Sequence, residues 1–118
     1  MLKNYAMNPL LFGYSMLGAA ILLEVFATSF LVKSEQFTKL LPSILVVILY
    51  AASFYCLSHT LKFIPVGIAY GVWSGVGILL ITLVGYFWFK QAIDLPAIIG
   101  LALIAAGVVI INVFSKAL

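Results

Sequence analysis

Four long apolar blocks, broken only by short polar stretches, constrain this chain more than any other feature of its sequence. They run approximately Leu10–Val32, Leu40–Leu61, Ile64–Phe89 and Asp94–Phe114. A helix needs about 20 apolar residues to cross a hydrocarbon layer about 30 Å thick, and each block has that length. In lipid the backbone polar groups must be satisfied within the segment, so such runs form helices. The breaks read "KSEQFTK", "KF" and "KQAI". They are long enough only for tight hairpins, so neighbouring helices run antiparallel. The expectation is an all-α membrane protein, with residues 1–118 as a single integral membrane domain of four spans. Pro42, Pro65 and Pro96 lie near the start of a span, where a missing backbone N–H costs least.

Composition excludes most other classes. Of the 118 residues 66% are hydrophobic and 8% charged, with a mean hydropathy of +1.31, whereas soluble domains carry about 25% charged residues. The net charge of +3 comes from six lysines placed singly along the chain, which excludes a nucleic-acid partner. Cys56 is the only cysteine and His59 the only histidine, so no internal disulfide, metal site or cofactor is expected. Lys3 before an apolar run resembles a signal peptide, but the run exceeds the usual 7–15 residues and more spans follow it, so it reads as retained. Phe87, Trp88 and Phe89 end the third block and read as interfacial anchors.

The lysines give no orientation. Lys3, Lys62 and Lys116 fall on one side of the membrane, and Lys33, Lys39 and Lys90 on the other. With three against three, the positive-inside rule is silent, and the preferred reading is that both orientations insert.

Glu24 is the residue worst placed for stability. It lies about three residues, roughly 4–5 Å, from the middle of the first span. The span's twelve Leu, Ile, Phe or Val residues contribute roughly −4 to −7 kcal/mol to insertion, against about +3 for a central acidic residue. The helix inserts, with much of its margin gone. No lysine or arginine lies inside a span to pair with the carboxylate. The purely structural alternative is a protonated Glu24 hydrogen-bonded to a neighbouring helix.

Leu17, Ala20, Ile21, Ala27 and Thr28 share the helical face of Glu24. They are mostly small or apolar, so a cavity could open there. Tyr50 and Phe54 in the second span, and Tyr70 and Trp73 in the third, lie at similar depth. Aromatic faces attract cations and an ionised Glu supplies opposite charge. The chemistry suggested is a pocket for a hydrophobic cation. Burial favours the neutral form of a carboxyl group, so the same group can hold a proton. Competition between proton and cation at a site that faces alternate sides gives antiport. Four helices are too few to enclose the pathway, whereas two oppositely inserted copies supply the inverted halves of a transporter. Gly67, Gly71 and Gly75, four apart in the third span, form a smooth face for close helix contact. Gly75 with Gly77 also weakens the helix at its middle, and a hinge there is as good a reading as packing. Gly100 and Gly107 mark a second small-residue stripe, which reads as a helix–helix contact.

The segments "AILLEV", "KSEQFTKLLPS", "IPVGIAYGVWSGVG" and "IDLPAIIG", in that order, resemble the small multidrug resistance family over about 100 residues. Within it they resemble the EmrE-like branch of multidrug and quaternary-ammonium exporters. The resemblance implies an eight-helix antiparallel homodimer in a bacterial inner (plasma) membrane, without enzymatic activity, that exchanges protons for lipophilic aromatic or quaternary ammonium cations. It also implies that Glu24 is the shared proton and substrate site. Leu17, Ala20, Ile21 and Thr28 then line the pocket, with Tyr50, Phe54, Tyr70 and Trp73 as aromatic walls. Gly75 and Gly77 match the family's bend, and Gly100 and Gly107 its dimer-forming fourth helix. Ala27 stands where close relatives often have Gly, and Ala92, after Lys90, where a cationic residue is common. The first ten residues, "MLKNYAMNPL", have no counterpart, and Met7 is an alternative start. A guanidinium or polyamine exporter of the same family is the nearest alternative, although "EVFATS" and "KQAIDLP" favour lipophilic cations. A non-transporting membrane accessory subunit would leave Glu24 unexplained.

Overall fold

The computed structural model describes residues 8–117, and Lys3 and Met7 lie outside them. It contains four helices, α1 (Pro9–Lys33), α2 (Leu40–Thr60), α3 (Val66–Phe87) and α4 (Leu95–Phe114), each long and apolar enough to cross a membrane. Local chemistry sets where they begin. The Asn8 side chain accepts from the Leu11 N–H at 2.7 Å and Pro9 opens α1. The Asp94 side chain accepts from the Ala97 N–H at 3.0 Å with Pro96 in the first turn of α4. Both caps satisfy a backbone donor that the helix leaves unpaired. α3 has 22 residues and is shorter than its apolar block. It begins after Pro65 and ends at Phe87, before Lys90 turns to a positive φ of 58°.

The turn from α1 to α2 is tight. Glu35, Gln36 and Phe37 have φ values of 49°, 60° and 63°, a left-handed run unfavourable for side chains with a Cβ. Buried Ser34 anchors it, donating to the Leu31 carbonyl at 2.7 Å and accepting from the Phe37 N–H at 3.1 Å.

α1 lies against α2 over much of its length. Leu17, Ala20 and Ile21 of α1 meet Leu57 of α2 and Val72 of α3 in the core. Two α2 hydroxyls bond to carbonyls of α1: Ser53 to Ala20 at 2.7 Å and Thr60 to Gly13 at 3.1 Å. Such interhelical bonds average about 0.6 kcal/mol in a membrane, so they fix register more than they add stability. α4 leans on α3, where Gly71 and Gly75 admit it. A Cβ built on Gly75 would lie 2.5 Å from Val108 Cγ2, and one on Gly71 would lie 3.6 Å from Ile111 Cδ1. These two positions form a smooth contact face, whereas Gly67 meets nothing within 4 Å. Tyr14 Oη donates to Asn112 Oδ1 at 2.5 Å and ties α1 to α4. No residue of α4 is buried. The four-helix chain is a slab of 45 × 36 × 21 Å, about two helix diameters thick.

Candidate functional site

Glu24 projects from the middle of α1 toward α3, and the absence of a side chain at Gly77 makes room for it. A Cβ on Gly77 would come within 2.7 Å of Glu24 Oε1. The other carboxylate oxygen, Oε2, accepts from Thr28 Oγ1 at 2.5 Å, one turn further along the same helix. Thr28 Oγ1 is also 2.5 Å from Tyr50 Oη on α2. A hydroxyl has one proton to donate. Thr28 gives its proton to the carboxylate, so Tyr50 donates to Thr28. Three side chains from two helices form one directed hydrogen-bonded chain ending on the carboxylate.

The carboxylate opens onto a cavity of about 310 Å³. Of the residues expected at the site, Glu24, Tyr50, Tyr70 and Trp73 line it. Tyr70 meets Trp73 edge-on, with ring centroids 5.0 Å apart and planes at 85°. Phe54 packs against Trp73 from α2 at 5.6 Å and 67°, backing the wall without lining the cavity. The Trp73 indole N–H is buried with no acceptor among the described residues. Leu17, Ala20 and Ile21 lie elsewhere: they are buried in the core against α2 and α3, at 1%, 0% and 5% exposure, and do not line this cavity. Thr28 serves the site by its hydrogen bond rather than as a wall.

Ser74, Gly77, Ile78 and Ile81 complete the lining. With Tyr70 they recur at i, i+4, i+7, i+8 and i+11, so one face of α3 supplies most of the wall. That periodicity was present in the sequence, but only the packing of α3 against α1 shows which face meets Glu24. Ile81 is shared with a wider cleft of about 770 Å³ between the diverging ends of α3 and α4. Ile81 therefore borders both the Glu24 cavity and that cleft.

α3 continues as one helix through Gly75 and Gly77, and both are buried where another helix comes close. A Cβ built on Gly100 or Gly107 of α4 would meet nothing within 4 Å. Among the described residues the one carboxylate–ammonium pair is Glu35 with Lys39, at 3.9 Å. Glu24 thus has no cationic partner among them. His59 packs edge-on against Tyr55 at 4.8 Å, away from the cavity lining.

A family profile described as Small Multidrug Resistance protein matches residues 12–104. The chain is 54% identical over 110 residues to the multidrug transporter EmrE of Escherichia coli K12, covering 93% of this chain and 96% of that one. It is 50% identical over 105 residues to the quaternary ammonium compound-resistance protein QacE of Escherichia coli, covering 89% and 96%. The multidrug resistance protein EbrA of Bacillus atrophaeus is 43% identical over 103 residues, covering 87% and 98%.

Proposed function

The chain belongs to the small multidrug resistance family, and from that premise we propose that it is a proton-coupled antiporter. It exports lipophilic aromatic and quaternary ammonium cations by alternating access at Glu24. Four spanning helices and this family make it a multi-pass protein of a bacterial inner membrane. The observation that carries the reading is the carboxylate without a cationic partner among the described residues, opening onto an aromatic cavity from the middle of a span-length helix. A charge so placed is expensive unless function requires it.

The geometry supports a cycle. An ionised Glu24 attracts a cation that has shed its water, and the faces of Tyr70 and Trp73 add cation–π attraction of up to about 2 kcal/mol when desolvated. The apolar Ile78 and Ile81 favour a lipophilic cation over guanidinium or a polyamine, whose hydration they cannot replace. Protonation removes the charge and reverses the adjoining hydrogen bonds. A carboxylic acid at Oε2 donates to Thr28, and the Thr28 proton then turns toward Tyr50. The side chains around the site therefore distinguish its two charge states.

One protomer supplies one wall of the pathway. The slab is thin, α4 buries nothing, and Gly100 and Gly107 stand open. An antiparallel homodimer, inserted in both orientations, uses those surfaces and brings a second Glu24 to the same chamber. Gly75 and Gly77 then act as the hinge through which α3 changes the side to which the chamber opens. In vesicles carrying a pH gradient, Glu24→Gln should lose coupled cation uptake altogether, because Gln keeps the size but cannot ionise. Uptake retained by that variant would refute the proposal.

A further inference from the structure

A second cavity lies outside the transport site. It is a groove of about 420 Å³ between α1 and α3, within the range of about 300–1,000 Å³ typical of small-molecule sites. Leu22, Phe26, Leu80 and Leu83 run along it, and Lys33 and Trp88 stand at one end. It shares no lining residue with the Glu24 cavity. On α1 the groove follows Leu22, Phe26, Ser29 and Lys33, a face turned away from Glu24. The hydroxyl of Ser29 donates to the Val25 carbonyl at 2.8 Å, so the wall presents hydrocarbon until the end is reached. The polar groups there, the Lys33 ammonium and the Trp88 indole N–H, are both donors. Glu35 is engaged by Lys39 at 3.9 Å, and Lys33 has no ion-pair partner among the described residues.

The dimensions identify the occupant. From Leu22 to Lys33 a helix rises about 16 Å, close to half of a hydrocarbon core about 30 Å thick. The groove is thus one leaflet deep, with its cation at headgroup level and an aromatic residue of the interfacial type beside it. A cationic drug would be repelled by Lys33. We propose that the groove binds one acyl chain of an anionic phospholipid, with the lipid phosphate on the Lys33 ammonium.

Trp88 reports on the groove directly, because a brominated acyl chain quenches a tryptophan it touches. The full chain would be reconstituted in phosphatidylcholine vesicles containing graded fractions of brominated phosphatidylglycerol or brominated phosphatidylcholine. The Trp88 signal is the difference between the wild type and Trp88→Phe. One lysine near an anionic headgroup corresponds to about a fivefold preference, so phosphatidylglycerol should half-quench Trp88 at about one fifth of the phosphatidylcholine fraction. Lys33→Gln should abolish that preference, whereas Lys33→Arg and Lys39→Gln should keep it. Equal quenching by the two lipids in the wild type, or a preference that survives in Lys33→Gln, would overturn the proposal. Absence of Trp88 quenching by either lipid would also overturn it, since no acyl chain would then occupy the groove.

Discussion

α1 and α4 are both apolar enough to span a membrane, and they occupy the molecule in opposite ways. α1 buries Gly13, Leu17, Ala20, Ile21 and Ala27, touches both α2 and α3, and carries the one carboxylate within a span. α4 buries no residue, and the contacts that place it are the glycine face of α3 and a hydrogen bond to Tyr14. Lipid is as apolar as a leucine surface, so an exposed apolar helix incurs no penalty in a bilayer, whereas a carboxylate there must be surrounded. The two helices therefore divide the work. The packed set of α1, α2 and α3 holds the carboxylate in place, and α4 leaves its surface exposed.

Three glycines separate these roles, because a methyl group added at each meets something different. At Gly77 it would meet the end of the flexible Glu24 side chain at 2.7 Å. The carboxylate can swing aside, so Gly77→Ala should fold but bind a lipophilic cation at least about tenfold more weakly, by titration of the purified protein. At Gly75 it would meet the β-branched Val108 at 2.5 Å, which cannot swing aside. Gly75→Ala should destabilise the protein by about 1–3 kcal/mol in an unfolding measurement, through the α3–α4 contact. At Gly107 it would meet nothing, so Gly107→Ala should spare the protomer. Under the proposed homodimer, a fall in particle mass by light scattering would place a second copy against α4, and an unchanged mass would remove that residue from the interface.

The aromatic wall should give a smaller effect. Trp73→Ala should weaken binding of a flat aromatic cation by about 1–2 kcal/mol, and Trp73→Phe by less. Unchanged affinity in the Ala variant would assign Trp73 to packing. The smallest effect is expected where the two regions meet away from the site. Tyr14→Phe removes the bond to Asn112 and should cost about 0.6 kcal/mol of stability with cation affinity unaltered. A loss of affinity there would show that α4 takes part in binding.

Sequence alone made the spans legible because each hairpin break is polar and each run long enough to cross. Glu24 was legible because nothing else in its span is charged. Tyr50, Tyr70 and Trp73, which line the cavity, are legible by depth, since a helix converts residue number into height. What depth cannot give is angle about the helix axis. Leu17, Ala20 and Ile21 share the broad face of Glu24, but α2 and α3 cover them and leave Glu24 at the margin. The same limit hid Ser74, Ile78 and Ile81. Gly77 reads from the sequence only as a weak point of α3, because its pairing with Glu24 joins residues from two different helices.

The central claim is that one carboxylate serves the proton and the cation in turn. It is tested most directly by the affinity of purified protein for a lipophilic aromatic cation, such as tetraphenylphosphonium, measured from pH 5 to 9. The cation binds the ionised carboxylate, so each proton taken up competes with it. Affinity should fall as the pH is lowered, by up to about tenfold per unit, and level off on the alkaline side. An affinity that stays flat from pH 5 to 9 would contradict the claim, because Glu24 would not be exchanging protons for the cation.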